Sequence, residues 1–148
     1  MDQGMLMQLK DLRLAAVLGL AACGSAAGAG VAGMAAVGGW KKAYAQNKAA
    51  SFMLVSFVGA PLSQTIYGMI LMNKIAEVAS TTGQFFWAAG IFGGAAMGLS
   101  AYFQGKAGAA AADAFSETGK GFANYLMVLG IIETVALFIM VFLLGKVS

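Results

Sequence analysis

Apolar and charged residues are separated along the chain into long blocks. Four stretches, residues 14–40, 49–73, 78–105 and 121–145, contain no Lys, Arg or Asp, and only the last contains a glutamate. About 20 apolar residues in a helix cross the hydrocarbon core of a bilayer, so each stretch is long enough to span it. The pattern predicts four transmembrane helices.

The polar segments between these stretches are short. They cover roughly residues 41–50, 74–84 and 112–121, which leaves no room for a soluble catalytic domain. We therefore expect one all-α membrane domain over residues 1–148, built as two tandem helical hairpins, 12–79 and 85–147. Any function must reside inside this helix bundle or at its edge.

Composition agrees with a membrane location. Hydrophobic residues make up 60% of the chain and charged residues 10%, with a mean hydropathy of +0.80, whereas soluble domains contain about 25% charged residues. The net charge of +3 is spread over both ends of the predicted bundle. The chain has no basic stripe with interleaved aromatic residues, so we predict no nucleic-acid partner.

The placement of lysines gives a weak signal of orientation. Basic residues are slightly more numerous on the side of the first and third connections, which include Lys41, Lys42, Lys48 and Lys120. Because cytoplasmic segments are enriched in Lys and Arg, this distribution favours both termini outside the cell.

The segment LAAC, ending at Cys23, is similar to the cleavage site of a bacterial lipoprotein. The residues that follow it continue as an apolar stretch as far as Trp40, where a lipoprotein would begin a polar tether. We therefore predict that the first helix is retained and that Cys23 is a small buried residue. A single cysteine also permits no internal disulfide.

The two predicted hairpins are similar in sequence. GSAAGAGVAG (24–33) aligns with LSAYFQGKAG (99–108), which pairs Ser25 with Ser100, Gly30 with Gly105 and Gly33 with Gly108. This similarity indicates a duplication of one helix pair.

Small residues recur every four positions in the first helix of each hairpin. The first series is Gly24, Gly28, Ala32 and Ala36, and the second is Gly90, Gly94 and Gly98. Such faces allow helices to pack closely in lipid. They are typical of a tightly packed bundle within one chain and also of the curved inner wall of an oligomeric ring; spacing alone favours the former.

Glu133 is the only acidic residue within a predicted membrane span. A charged side chain at the bilayer centre costs at least about 2.5–3.5 kcal/mol, so Glu133 needs a partner or a proton. The simplest alternative is a protonated glutamate that only links two helices, but intramembrane carboxylates more often mark functional sites.

Neutral oxygen donors are available to Glu133 from three predicted helices. Pro61 frees a backbone carbonyl in the second helix and disfavours helical geometry at Ala60. The side chains that carry oxygen atoms are Ser63, Gln64, Tyr67, Gln104 and Thr134. One carboxylate with several neutral oxygens suits a hard monovalent cation, whereas a proton would need only the carboxylate.

The tandem hairpins, together with PLSQTIYG (61–68), FQGKAGAAAADAF (103–115) and IIETVALF (131–138), resemble the duplicated proteolipid, or c/K-type rotor subunit, of V-type rotary ATPases. The bacterial sodium-translocating members are the most similar. The resemblance covers residues 12–145 and implies an oligomeric ring in the bacterial plasma membrane.

By this resemblance, the ion-binding group would be Glu133 with side-chain oxygens of Gln104, Gln64 and Ser63 and the backbone carbonyl of Ala60. The Tyr67 hydroxyl would hold the carboxylate when the site is closed, and Thr134 is a second candidate for that hydrogen bond. Two residues depart from the family pattern. Ser63 stands where Thr is usual, and Ala60 where Leu is familiar.

The resemblance also implies partners. Identical copies would form the ring, a stator membrane subunit would supply an arginine that displaces the ion, and the connections 41–50 and 112–121 would contact a central stalk. The transported ion would be Na⁺ or, as the alternative, H⁺. No covalent cofactor is expected.

The first hairpin has no acid at the position of Glu133. Four helices would then carry one ion, which suits a pump driven by ATP hydrolysis in partner subunits. Small multidrug exporters are also four-helix proteins with one membrane carboxylate, but in them it lies in the first helix. A four-helix scaffold remains a further alternative. We expect no catalytic residues, because the chain lacks histidine and paired acids.

Overall fold

The computed structural model describes residues 3–147 of the chain, and the regular secondary structure in that range is entirely helical. The elements are α1 (Gln3–Ala45), α2 (Leu54–Gly59), a 3₁₀ turn (Ala60–Leu62), α3 (Ser63–Thr82), α4 (Trp87–Thr118) and α5 (Phe122–Leu144). The predicted all-α fold is confirmed. Since α2, the 3₁₀ turn and α3 follow one another without a break, the elements form four long segments.

Three of the four segments are long and apolar enough to cross a membrane, namely Asp11–Ala45, Leu54–Thr82 and Phe122–Leu144. The fourth, α4, has sufficient length but is not among these three. It packs along α1 and also contacts α3 and α5.

The connections between helices are shorter than the sequence predicted. They cover residues 46–53, 83–86 and 119–121, whereas the predicted segments were 41–50, 74–84 and 112–121. Both α3 and α4 extend past the charged residues near their C-terminal ends. Each helix ends at a glycine in the left-handed conformation. Gly83 (φ 71°) and Gly119 (φ 64°) donate their N–H groups to the carbonyls of Ala79 and Phe115, as in a helix C-cap.

The glycine faces of α1 and α4 contact each other within the chain. A Cβ atom at Gly24 would lie 2.0 Å from the carbonyl oxygen of Gly98, and one at Gly105 would lie 2.2 Å from the Cα of Gly28. These distances are far below van der Waals contact, so only glycine allows the two backbones to approach so closely. The small-residue series therefore serves packing within one chain.

Pro61 changes the helix type in the second segment without interrupting its course. Ala60 keeps right-handed helical angles (φ −53°, ψ −45°), contrary to the expectation that proline would disfavour them. The change is instead a single 3₁₀ turn with Pro61 near its start. The tighter turn ends immediately before the polar side chains at the beginning of α3.

Two apolar clusters form the core, one toward each end of the bundle. The cluster nearer the termini includes Val17, Leu71, Ile75, Met97 and Met140. The cluster nearer the connections 46–53 and 119–121 includes Leu54, Phe57, Ala112, Phe115 and Leu129.

A set of polar side chains on α3, α4 and α5 lies between these two clusters along the length of each helix. We call this set the polar layer, and its members are Ser63, Gln64, Tyr67, Gln104 and Glu133.

Cys23 is exposed on α1, so the prediction that it is buried was wrong. Its neighbour Gly24 faces α4, and Ser25 is buried. Because adjacent residues in a helix point in different directions, Cys23 projects away from these contacts.

Candidate functional site

Glu133 lies near the middle of α5, at the edge of the bundle. Its side chain is partly buried, while Ile131 and Val135 are 63% and 54% exposed. These two residues belong to an apolar strip of α5 that faces away from the other helices. The carboxylate is therefore placed between the packed interior and the surface expected to meet lipid.

Both oxygens of the Glu133 carboxylate accept hydrogen bonds from other helices. The Tyr67 hydroxyl of α3 donates to Oε1 over 2.7 Å, and Nε2 of Gln104 in α4 donates to Oε2 over 3.3 Å. Tyr67 and Gln104 thus hold the carboxylate against the interface of α3, α4 and α5. Hydrogen bonds to ionised groups are stronger than those between neutral groups.

The two glutamine side chains extend this network into the interior. Gln64 and Gln104 are both fully buried, and Nε2 of Gln64 donates to Oε1 of Gln104 over 2.8 Å. Nε2 of Gln104 also donates to the carbonyl of Leu129 over 3.0 Å. A buried amide is costly unless it is hydrogen-bonded, and here the amides satisfy each other and the backbone of α5.

Ser63 completes the network beside the 3₁₀ turn. Its hydroxyl lies 3.2 Å from Oε1 of Gln64 and 3.2 Å from the carbonyl oxygen of Ala60, and it can donate to either. The sequence-predicted residues Ser63, Gln64, Tyr67, Gln104 and Glu133 therefore form one continuous set of contacts. The carbonyl of Ala60 adjoins it.

Thr134 does not join this set. Its side chain is exposed, and the hydroxyl donates to the carbonyl of Ile131 over 2.6 Å within its own helix. A threonine in a helix readily bonds to a carbonyl of the preceding turn. In this arrangement Tyr67 is the hydroxyl donor to Glu133.

Ser100 is a neighbour of the site that the sequence analysis did not assign. Its hydroxyl donates over 2.9 Å to the carbonyl of Ile132, the residue before Glu133. The spacing held a signal, because Ser100 precedes Gln104 by four residues and so shares its helix face. This bond ties the backbone beside the carboxylate to α4.

The polar layer combines one carboxylate with several neutral oxygen atoms. Across residues 3–147, no group of three or more His, Cys, Asp or Glu side chains could hold a metal ion. Amide, hydroxyl and carboxylate oxygens are ligands for hard cations. A single carboxylate can neutralise one positive charge, so the donor set fits a monovalent cation or a proton.

The Tyr67 hydroxyl gives the site a testable property. We expect Tyr67→Phe to increase the rate of carbodiimide modification of Glu133 about 10-fold at low sodium concentration. The Tyr67 hydroxyl holds Oε1 of the carboxylate over 2.7 Å, and without this hydrogen bond the carboxyl group is freer to turn toward the reagent. Mass spectrometry of the labelled chain measures the rate. Tyr44→Phe, at an exposed position in α1, is the control, and equal rates for the two variants would contradict this role of Tyr67.

Residues 87–144 match the family model of the C subunit of ATP synthase. The matched segment contains the whole of α4 and α5, and hence Ser100, Gln104 and Glu133. Ser63, Gln64 and Tyr67 lie outside it, in the first hairpin. No curated protein sequence matches the chain.

Proposed function

We propose that this chain is the ion-carrying rotor-ring subunit of a V-type rotary ATPase and moves Na⁺ across the membrane while partner subunits hydrolyse ATP. One observation carries the proposal. The carboxylate of Glu133 and the oxygens of Gln64, Gln104 and Ser63 form a connected polar layer between two apolar cores. Placing such a layer inside an apolar bundle costs stability, so we infer that it serves a function. Intramembrane carboxylates commonly serve ion transport.

The match of α4 and α5 to the C subunit of ATP synthase supports the rotor role. The duplication supports the V-type assignment, because the first hairpin has the same helix arrangement without an acid. One ion for each four helices means fewer ions per turn of a ring, which suits a pump driven by ATP hydrolysis. In this role the chain is non-catalytic.

The donor set favours Na⁺ over H⁺ as the transported ion. A proton would need the carboxylate alone, whereas a sodium ion needs several oxygens to replace its lost hydration. The buried amides of Gln64 and Gln104 supply two such oxygens and Ser63 a third. The Ala60 carbonyl oxygen lies 3.2 Å from the Ser63 hydroxyl and could join these oxygens as a ligand of the ion. The second candidate is the same rotor function with H⁺ as the ion, for which Tyr67 and Gln104 would hold the carboxyl group.

In the proposed mechanism, copies of the chain form a ring with α1 and α4 inside and α3 and α5 outside. Each Glu133 travels past lipid while neutralised by its ion, since an unpaired charge there is costly. At the stator, an arginine of the partner membrane protein competes for the carboxylate and releases the ion.

The rest of the proposed assembly follows from the topology. The connections 46–53 and 119–121 lie at the same end of the bundle and would contact the central stalk. The chain would then lie in a bacterial plasma membrane with both termini outside, in line with the slight excess of lysines near those connections.

Carbodiimide labelling of Glu133 tests the function and the choice of ion together. We expect sodium to slow the labelling at constant pH, and potassium at the same concentration to slow it far less. Labelling that responds to pH but not to sodium would favour the H⁺ alternative. A Glu133 that stays unreactive under all conditions would contradict ion transport and favour a four-helix scaffold, while a small multidrug exporter would show protection by organic cations instead.

A further inference from the structure

Ser25 in α1 is a buried polar side chain without a hydrogen-bond partner. Its exposed fraction is 2%, and its Oγ is one of two such side-chain atoms in the described part of the chain. Ser100, which aligns with Ser25 in the sequence repeat, bonds to the carbonyl of Ile132. Burying a hydroxyl without a partner is unfavourable, so an orphaned one requires an explanation.

The contacts between α1 and α3 show what Ser25 faces. A Cβ atom at Gly68 would lie 2.8 Å from the Cβ of Ala21, and a Cβ atom at Gly28 would lie 3.1 Å from the Cβ of Pro61. The two helices are thus antiparallel at this contact. Ser25 lies between Ala21 and Gly28 on one helix, just as Gln64 lies between Pro61 and Gly68 on the other.

This register places Ser25 opposite Gln64. Residues four or three apart share a helix face, so Ala21, Ser25 and Gly28 form one line along α1. The facing line runs along the 3₁₀ turn and α3 and consists of Pro61, Gln64 and Gly68. Serine supplies the one polar side chain of the α1 line. Ser25 therefore lies at the level of Gln64, a member of the polar layer.

Gln64 has hydrogen-bonding capacity that its present partners do not use. Its Nε2 carries two N–H groups and donates to Gln104, while its Oε1 lies within bonding distance of the Ser63 hydroxyl. A cation that takes Oε1 of Gln64 as a ligand fixes the direction of the amide. The amide nitrogen lies on the opposite side of the group and then needs an acceptor away from the ion.

We propose that Ser25 is a positioning residue for the cation site. Its hydroxyl accepts a hydrogen bond from Nε2 of Gln64 when Oε1 of Gln64 turns to the ion. This inference rests on the proposed function and extends it to a residue that touches neither the ion nor Glu133. Groups that orient the ligands of a metal ion commonly lower its affinity when they are removed.

We expect Ser25→Ala to affect sodium affinity and stability differently. Affinity for sodium falls, because Gln64 loses the acceptor that holds its oxygen toward the ion. Stability at low sodium does not fall, because the substitution removes a buried hydroxyl that has no partner and leaves a methyl side chain. A residue needed only for packing of α1 against α3 would leave the affinity for sodium unchanged.

The test is the sodium concentration that halves the rate of carbodiimide labelling of Glu133 in the assembled complex. We expect Ser25→Ala to raise this concentration about 3- to 10-fold, the effect of one hydrogen bond. The thermal midpoint of the complex at low sodium should stay at or above that of the wild type. Ser116→Ala is the matched control, because the Ser116 hydroxyl bonds to Asp113 within α4, away from the polar layer.

The results of this experiment distinguish a failure of the Ser25 role from a failure of the proposed function. Sodium protection in the wild type with an unchanged half-protecting concentration in Ser25→Ala would overturn the role of Ser25 alone. A lower thermal midpoint at low sodium, with unchanged sodium protection, would assign Ser25 to packing. If sodium fails to protect the wild type at any concentration, both the positioning role and the sodium-carrying function are wrong.

Discussion

Glu133→Gln should abolish ion transport and leave the helix bundle assembled. The glutamine removes the negative charge that neutralises the ion but keeps the size of the side chain and an oxygen that can accept the bond from Tyr67. In the proposed mechanism the ion crosses the membrane only in partnership with this charge, so we expect transport to fall at least about 100-fold. Measurement of ²²Na⁺ uptake by vesicles that contain the complex gives the rate.

Stability should respond differently from transport. Glu133→Gln avoids the cost of placing a carboxylate near the bilayer centre, so the thermal midpoint of the ring should be equal to or above that of the wild type. Glu77→Gln is the matched control, since Glu77 is an exposed acid that pairs with Lys74 outside the polar layer. Sodium transport that persists in Glu133→Gln would refute the proposed mechanism, and loss of transport in both variants would indicate a general effect of removing acids.

The composition of the polar layer could be predicted because polar residues are rare in the membrane spans. A carboxylate in an apolar helix must find partners, and few residues in the chain could provide them. The sequence therefore predicts Gln104 and Tyr67 near Glu133. In the structure both donate hydrogen bonds to that carboxylate.

The direction of each hydrogen bond could not be predicted in the same way. Thr134 adjoins Glu133 in sequence, yet its hydroxyl bonds to Ile131 in its own helix. Adjacent residues in a helix are turned by about 100° from each other, so proximity in sequence does not bring their side chains together. The spacing of Ser100 and Gln104 places both on one face of α4. Their acceptors, the carbonyls of Ile132 and Leu129, could not be predicted, because every residue carries a carbonyl and the sequence does not mark which one is used.

The faces of α1 were only partly predictable for a similar reason. The spacing of Gly24 and Gly28 correctly indicated a close helix contact, but it could not say which helix would lie against them. The structure gives α4 as that partner. Cys23 shows the limit of an argument from composition, because a small apolar residue is equally compatible with a buried and an exposed position of a membrane helix.

Gly24→Ala should destabilise the bundle by at least about 3 kcal/mol, the upper end of ordinary overpacking. The added Cβ would lie 2.0 Å from the carbonyl oxygen of Gly98 and 2.3 Å from its Cα. These are backbone atoms, so no side chain can rotate to make room and α1 must move away from α4.

Gly30→Ala is the matched control for Gly24→Ala, because the same helix carries the same change at a position with no atom within 4 Å of the added Cβ. Alanine favours the helical backbone over glycine by about 0.5–1 kcal/mol, so the control should be neutral or slightly stabilised. Unfolding of the dissociated chain in mixed micelles, followed by circular dichroism during SDS titration, compares the two. Equal stabilities would mean that the backbones of α1 and α4 do not approach each other closely at Gly24. A large loss of stability in Gly30→Ala alone would place the close helix contact on the other face of α1.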